Sequence, residues 1–345
     1  MIPHSRPTLD QSDYKSVLHV LESGHLVQGE QVARFEKDLS SLIGVKDGVA
    51  VSSGSAALHL SLISLGVGKG DEVVVPSFIC TAPLNAILYV GAIPVIAEVD
   101  RLTFNIDVKN LKKRLTKKTK AIILPHIFGL PADMDKIASL GIPLIEDCAH
   151  SLGGRYKDTY TGSFGALSIF SFYATKVITT GEGGMVLSQN ERLIETIRDL
   201  RNYDEKENYT MRYNYKITDI QAALGINQLK KLSLFIKKRG NIADIYNRIF
   251  QAFNLDIPTV PVNREHIYYR YVVLVDNPQG FIDSMTKRGI ACMRPVYKPL
   301  HRYLGLRGYA TTDWIWERAV SIPIYPSLTD EEVSKIIESV KLSLR

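Results

Sequence analysis

The 345-residue sequence contains little cysteine and no long apolar segment. Its three cysteines (Cys80, Cys148 and Cys292) form no CxxC pair, which argues against a thiolate metal site and for a reducing compartment. No stretch reaches the roughly 18 consecutive apolar residues of a membrane-spanning helix. The opening MIPHSRPTLDQSDYKSVLHV lacks the basic and apolar regions of a signal peptide. We therefore expect a cytoplasmic protein that binds neither a membrane nor a metal.

Two further absences narrow the function. No strand candidate is followed by GxGxxG, so the fingerprint of a dinucleotide-binding protein is missing. The net charge is +6, yet the basic run LKKRLTKKTK at 111–120 contains no interleaved aromatic residues. We interpret such runs as solvated helix faces and expect no nucleic-acid partner. The excess positive charge is better suited to attracting small phosphorylated anions.

The first half of the chain alternates short β-branched runs with segments of helical length. Apolar runs without period-2 alternation, separated by helices, predict an α/β fold. The expected sheet is mostly parallel and seven-stranded, with helices on both faces. The strand candidates are 49–52, 72–76, 93–96, 121–124, 143–146, 167–170 and 184–187. Functional groups should then gather at the carboxyl ends of these strands.

The second half of the chain has a different pattern. Residues 190–239 predict helices, 268–275 a strand and 281–288 a short helix. A terminal helix is predicted over 330–342 with Thr329 as its N-cap. We predict a large α/β domain over 1–235 and a smaller α+β domain over 236–345, joined through a long helix. Whether the N-terminal segment packs on the small domain stays open.

Two motifs at strand ends offer groups for an anion and a cation. VSSGSAA at 51–57 opens a helix with small residues, so backbone N–H groups and the helix dipole can bind a phosphate. The same motif is also compatible with a packing turn in which Ser55 is the N-cap. IEDCAHS at 145–151 ends a strand with Asp147, whose carboxylate could hold a protonated heterocycle. A structural ion pair is the alternative.

Two further motifs offer a nucleophile and a polar loop. Lys176 stands in SFYATKVITTGEGGM after another strand candidate, where a lysine can form a Schiff base with an aldehyde. Most lysines are only surface charges, so residue type alone decides little. Asn214 precedes an apolar helix and could reach a neighbouring site, although loop asparagines usually form turns.

Together these motifs match one cofactor. A phosphate-binding turn, an acid for a pyridine nitrogen and a lysine for an aldehyde are what pyridoxal 5'-phosphate (PLP) requires. They occur in that order along the predicted α/β sheet.

The motifs also resemble those of the DegT-type sugar aminotransferases. This group is a branch of the aspartate-aminotransferase-like enzymes, which are PLP enzymes of fold type I. The resemblance covers about residues 2 to 341. It rests on VSSGSAALHL, HIFGLPADM, IEDCAHSLGG, SFYATKVITTGEGGMV, YNYKITDIQAALGINQL and SIPIYPSLTDEE.

The resemblance implies a role for each site residue. Lys176 would hold the cofactor and move the proton, Asp147 would pair with the pyridinium nitrogen, and His150 would lie near the ring. Four residues would hold the phosphate: Gly54, Ser55, Ala56 and Ser171. Asn214 would reach the cofactor phosphate of a partner subunit, which implies a homodimer with shared active sites.

Two positions depart from the family pattern. Cys80 stands where many members carry an aromatic residue stacked on the cofactor ring, so either Cys80 or Phe78 would cover the ring face. In the loop that resembles GxNxR, the glycine is replaced by Arg212 and the arginine by Lys216. Asn214 remains in register.

The resemblance also implies a reaction. The enzyme would transfer an amino group from L-glutamate to a keto group of a nucleotide-linked sugar, for surface-glycan or related amino-sugar biosynthesis. The TTGEGG sequence after Lys176 resembles enzymes that act at C4 of a 4-keto-6-deoxy sugar. Action at C3, or on a cyclitol or small keto acid, stays open. The presence of Lys176 argues against a related dehydratase, because such enzymes resemble this family but replace that lysine. The presence of both Lys176 and Asp147 argues against a non-catalytic sugar sensor.

Overall fold

Alternating helices and strands form most of the molecule. The computed structural model describes residues 1–253 and 255–344. Its helices are α1 (Gln11–Ser23), α2 (Glu30–Ile43), α3 (Gly54–Ser64), α4 (Ala82–Tyr89), α5 (Val108–Arg114), α6 (Met134–Ala138), α7 (Glu191–Leu200), α8 (Asp219–Lys230), α9 (Leu232–Gln251), α10 (Pro278–Lys287), α11 (Leu300–Tyr303), α12 (Ala310–Arg318) and α13 (Asp330–Ser343). In the described ranges, none of these helices combines the length and apolarity that spanning a membrane demands.

A seven-stranded sheet forms the centre of residues 47–188. Its strands are β1 (Asp47–Val51), β2 (Glu72–Pro76), β3 (Ile93–Ala97), β4 (Thr119–Pro125), β5 (Leu144–Asp147), β8 (Leu167–Ser171) and β9 (Gly184–Ser188). Short strands β6 (Arg155–Tyr156), β7 (Thr159–Tyr160) and β10 (Arg264–Glu265) pair separately. The order in the large sheet is β1-β9-β8-β5-β4-β2-β3. All seven predicted strands are confirmed.

Four of the six strand pairings are parallel, and only β9 runs against its neighbours β1 and β8. The segment 172–183 joins β8 directly to the adjacent β9. This segment contains no helix that could cross over the sheet, and β9 returns antiparallel to β8. The predicted lysine motif is therefore the connection of a hairpin.

Apolar side chains cover both faces of the sheet. Val73 and Val75 pack with α3, α4 and α7, whereas Val74 between them packs with α5 and α6. The same division separates Ile123 from Ile122 on β4. Because successive strand residues point to opposite faces, two buried faces require the continuous apolar runs seen in the sequence.

A second core forms in the C-terminal part of the chain. Strand β11 (Tyr271–Leu274) pairs antiparallel with β12 (Ala319–Ile322), and helices α9, α10 and α13 pack around them. The predicted strand 268–275 is shorter because Tyr268 has a positive φ of 49°, outside the extended region. Thr329 caps α13 as predicted, in a capping box with Glu332.

Helix α9 contributes to both cores. Leu232 and Phe235 in its first turns pack in the core of the large sheet, whereas Tyr246 and Phe250 pack around β11 and β12. The proposed division of the chain near residue 235 falls inside this helix. The N-terminal segment also joins the second core, since Ile2 pairs with Ile290.

A buried carboxylate anchors the end of β5. Glu146 is fully buried, and His126 Nε2 lies 3.1 Å from its Oε2. Three backbone N–H groups of the loop before β8 donate to its oxygens over 2.6–2.9 Å: Gly162, Phe164 and Gly165. His126 Nδ1 accepts from a backbone N–H, so Nε2 carries the proton that it donates to Glu146. The cluster fixes the strand residue that precedes Asp147.

Candidate active site

A cavity of about 310 Å³ opens at the carboxyl ends of β5 and β8. It is walled by the turn before α3, the loop before α4 and the segment after β8. It brings together seven of the predicted site residues: Gly54, Ser55, Cys80, Asp147, His150, Ser171 and Lys176. This is the edge of the sheet where the sequence places functional groups.

The N-terminus of α3 forms one end of the cavity. Ser53, not Ser55, is the N-cap, and its side chain accepts the N–H of Ala56 at 3.1 Å. The first N–H groups of a helix have no acceptor within the helix. Since Ala56 N–H is used by the cap, the N–H groups of Gly54 and Ser55, two residues that line the cavity, are the ones left without an acceptor in the described chain. A Cβ on Gly54 would lie 3.0 Å from the Ser171 Cβ, so the helix start and the end of β8 are in direct contact.

The glycines after Lys176 allow a second close approach. A Cβ on Gly184, the first residue of β9, would lie 2.7 Å from the backbone nitrogen of Gly54. Any larger residue would push β9 away from the start of α3. Gly184 is therefore required so that β9 can pass directly behind the turn at Ser53 and Gly54.

Hydrogen bonds close the segment that carries Lys176. Phe172 N–H donates to the Gly183 carbonyl and Thr180 N–H donates to the Phe172 carbonyl, both at 2.9 Å. Lys176 N–H donates to the Tyr173 carbonyl at 2.9 Å. These bonds fix the lysine backbone, and its Nζ lies 5.1 Å from the centre of the Tyr269 ring.

Asp147 is buried at the end of β5 and lines the cavity. Its Oδ1 accepts the N–H of Ala149 at 3.0 Å, and no group of the described chain donates to its other oxygen. Burial raises the pKa of Asp147, although that hydrogen bond and the charge of Lys176 oppose the shift. A buried carboxylate with an available oxygen is suited to hold a cation or an N–H group.

His150 lies between two aromatic rings. It stacks on Tyr269 with ring centroids 4.4 Å apart and on Phe128 at 6.1 Å. Burial, then the charges of Lys176 and Arg270, hold the pKa of His150 well below its usual value. Its Nδ1 faces the N–H of Phe128 at 3.4 Å, so the neutral ring carries its proton on Nε2 and can donate from there.

Three predicted site residues do not line the cavity. Ala56 is the first of them. Phe78 is the second: it is buried in an aromatic cluster, with its ring centroid 6.1 Å from those of Phe104 and Phe128. Of the two candidates for covering a ring, Cys80 is the one that reaches the cavity. Asn214 is exposed outside it, on a loop held near the start of α3 by the Ser52 N–H, which donates to the Tyr215 carbonyl at 2.8 Å.

The structure adds residues that the sequence did not indicate. Tyr173 and Glu182 line the cavity from the lysine segment, and Glu182 is part of the TTGEGG sequence. Tyr269 belongs to no motif, and the sequence places it only in a predicted strand. Burial opposes ionisation of its phenol, but the charges of Lys176 and Arg270 and a hydrogen bond to Thr175 lower the pKa of Tyr269 to about 8.

Solved structures share this architecture across the whole chain. The aminotransferase TlmJ of Streptoalloteichus hindustanus superposes with a TM-score of 0.96 at 31% identity, covering 100% of this chain and 99% of that one. Spr1654 of Streptococcus pneumoniae in its PLP form gives 0.94 at 29% identity, covering 99% and 98%. Fold and site define an aspartate-aminotransferase-like, PLP-dependent aminotransferase.

The chain belongs to the DegT/DnrJ/EryC1/StrS aminotransferase family, whose model matches residues 7–341. It is 32% identical to the GDP-perosamine synthase of Vibrio cholerae, over 99% of this chain and 98% of that protein. The predicted fold, family, enzyme class and cofactor are thereby confirmed.

The residues of the cavity fit PLP. The N-terminal amides of α3 and the Ser171 hydroxyl would bind its phosphate. The available oxygen of Asp147 would bind the ring nitrogen, and Lys176 the aldehyde. The close contact of Gly54 with Ser171 places the amides of the turn beside the Ser171 hydroxyl.

We expect the Asp147→Asn variant to fold normally but to transaminate about 10²- to 10³-fold more slowly. An amide keeps the size of the carboxylate but loses the negative charge that would hold a proton on the ring nitrogen. Steady-state kinetics, with PLP content measured by absorbance, would check this. Asp283→Asn, at an exposed position of helix α10, is the control. Equal rates for Asp147→Asn and the wild type would rule out this role.

Proposed function

We propose that the protein transfers an amino group from L-glutamate to the C4 keto group of a nucleotide-linked 4-keto-6-deoxy sugar. The observation that carries this proposal is the cavity in which Lys176 and Asp147 lie beside an anion-binding helix start. The proposal is also supported by the similarity to a GDP-perosamine synthase. Amino sugars of this kind are used in surface glycans.

Lys176, Asp147 and the turn 53–55 would each have a separate role in the reaction. Bound PLP supplies an electron-withdrawing ring that stabilises negative charge at the carbon being deprotonated. Lys176 Nζ would take a proton from the α-carbon of glutamate and return a proton to the sugar carbon in the second half of the reaction. Asp147 would keep a proton on the ring nitrogen, and the turn 53–55 would hold the phosphate in place.

The neutral His150 would orient the reactants without adding charge. Its ring is fixed between Phe128 and Tyr269, so its Nε2–H points from a rigid position. A neutral donor can bond an oxygen at the ring or the substrate without adding a positive charge to the site. Hydrogen bonds from fixed donors need little reorganisation during the reaction.

The position of amination rests on the TTGEGG sequence at 179–184. Glu182 of this sequence and Tyr173 line the cavity, where they can contact the acceptor. Amination at C3, or of a cyclitol, is the second candidate because the same lysine and aspartate would serve it. A sugar sensor is disfavoured by the intact Lys176 and Asp147.

We also propose a homodimer with shared active sites. Asn214 is exposed beside the start of α3 but outside the cavity of its own chain. It would contact the cofactor phosphate of a second subunit. This places one polar contact of each site on the other chain.

The test of the function is a panel of keto sugar nucleotides incubated with the holoenzyme and L-glutamate. Mass spectrometry would detect the aminated product, and NMR would assign the carbon that carries nitrogen. We expect amination at C4 of a 6-deoxy sugar. A product aminated at C3 would favour the second candidate, and bleaching of the PLP band by glutamate without any sugar product would contradict the acceptor class.

A further inference from the structure

A serine, a histidine and an aspartate form a chain of hydrogen bonds beside the cavity. Ser77 follows β2 and is fully buried, and His301 on α11 is 2% exposed. Ser77 Oγ lies 2.6 Å from His301 Nδ1, and Oδ1 of Asp313 on α12 lies 3.1 Å from His301 Nε2. None of the three residues lines the cavity that holds Lys176, so they do not contact the reacting groups.

The hydrogen bonds of this cluster are those of a neutral histidine. A carboxylate only accepts, so His301 Nε2 carries a proton and donates it to Asp313. Nδ1 is then the acceptor of the Ser77 hydroxyl, whose oxygen in turn accepts the His301 N–H at 3.3 Å. Burial lowers the pKa of His301, although the charge of Asp313 opposes the shift. The ring therefore has a fixed orientation between its two partners.

The cluster has the residue types of a hydrolytic triad but not its access. In serine hydrolases the oxygen of the serine must be open to the carbonyl that it attacks. Ser77 is fully buried, and its hydroxyl is already bonded to two groups of His301. This arrangement is suited to holding two segments of the chain together.

Ser77 begins the loop 77–80, which leads into the cavity. Its carbonyl accepts the N–H of Leu300 at 2.9 Å and that of Ile79 at 3.0 Å. Ile79 and Cys80 line the cavity, and Cys80 is the candidate for covering the cofactor ring. Helix α11 therefore holds the start of the loop whose far end reaches the cofactor site.

Helices α11 and α12 are themselves fixed to the edge of the sheet. The Tyr309 hydroxyl, between the two helices, donates to the Ile96 carbonyl on β3 at 3.0 Å. Glu98, which follows β3, accepts the backbone N–H of Thr312 on α12 at 2.9 Å. These contacts do not involve the loop 77–80. The helix pair is thus a support that is anchored independently of the loop that it holds.

We propose that His301 is a positioning residue that acts through Ser77 to fix the loop 77–80, so that Cys80 lies against the bound cofactor; this rests on the proposed function, in which the cavity binds PLP. Without the bond to Ser77 the loop would have more conformations available. PLP would then have to order the loop as it binds, which weakens binding.

Two substitutions of His301 separate its two side-chain hydrogen bonds. The amide of asparagine takes the position of Nδ1, so His301→Asn keeps a partner for Ser77. The amide of glutamine takes the position of Nε2, so His301→Gln keeps a partner for Asp313 and loses the bond to Ser77. We expect the holoenzyme to release PLP into cofactor-free buffer at least tenfold faster in His301→Gln and less than threefold faster in His301→Asn, as measured by absorbance.

The reactivity of Cys80 is a second readout, which a purely structural role of His301 would not change. With excess PLP, alkylation of Cys80 by iodoacetamide, located by mass spectrometry, should be at least fivefold faster in His301→Gln than in the wild type. In His301→Asn it should change less than twofold. Ser77→Ala should behave like His301→Gln, and the double variant should add little because both changes remove the same bond. Ser77→Ala also tests the proposal if His301→Gln does not fold.

Tyr309→Phe is the matched control, because it removes a hydrogen bond of the same helix pair to β3 and none to the loop 77–80. Its PLP release and Cys80 alkylation should equal those of the wild type. Wild-type values in His301→Gln, or equal losses in the glutamine and asparagine variants, would overturn the proposal, as would an equal loss in Tyr309→Phe. A holoenzyme that aminates no sugar nucleotide but shows faster PLP release and Cys80 alkylation in His301→Gln would contradict the proposed function and retain this inference.

Discussion

The Lys176→Ala variant is expected to lose transamination by about 10⁴-fold or more. The lysine would serve twice, as the group that holds the cofactor aldehyde and as the base that moves the proton. Alanine removes both functions but leaves the surrounding turn intact, since the bonds that close the segment join backbone atoms of Phe172, Thr180 and Gly183. The variant should therefore fold and still bind PLP through the phosphate-binding turn and Asp147.

Two measurements would separate loss of chemistry from loss of structure. The first is the product rate with saturating glutamate and acceptor. The second is the visible absorbance of purified protein, in which the band of lysine-bound PLP should be absent from Lys176→Ala. Lys237→Ala, on the exposed side of α9, should retain rate and band. A Lys176→Ala enzyme with wild-type turnover would refute the assignment of the lysine.

The Glu146→Ala variant should lower the free energy of unfolding by about 3–5 kcal/mol. The carboxylate accepts hydrogen bonds from His126 and from three backbone N–H groups of the loop before β8. Alanine would leave these four donors buried without an acceptor. Each donor then loses its hydrogen bond and gains none to water, and a buried donor without a partner has a large free-energy cost.

Urea unfolding followed by circular dichroism would measure this difference. The matched control is Glu191→Ala, whose exposed ion pair with Lys46 should contribute less than about 1 kcal/mol. If Glu146→Ala unfolded at the same urea concentration as the wild type, the buried cluster would not be the anchor of β5. A normal PLP spectrum in folded Glu146→Ala would show that Asp147 keeps its position without it.

The sheet could be predicted from the sequence because its signal is local. Each strand is a short run of β-branched residues, and strands buried on both faces need no alternation. The antiparallel direction of β9 was not predicted; the structure shows it in the helix-free connection that joins β8 to β9. The N-cap of α13 was likewise readable, since Thr329 and Glu332 lie three residues apart.

The site could be predicted only in part, because packing between distant segments decides some of its contacts. The residues at strand ends, such as Asp147 and Ser171, are brought together by the topology of a parallel sheet. Phe78 and Cys80 are two residues apart, and only packing against Phe104 and Phe128 decides that Phe78 faces inward. Tyr269 and Arg270 come from a distant part of the chain, so no spacing in the sequence could join them to Lys176.

The hairpin between β8 and β9 has a consequence for motion at the site. Its connection is bonded to itself, and both strands lie inside the sheet between β5 and β1. Opening it locally would require separating interior strands, which belong to the slowest-exchanging parts of a protein. We therefore expect the backbone that carries Lys176 to be among the least mobile parts of the site. Movements that admit and release the two successive substrates are expected outside this hairpin.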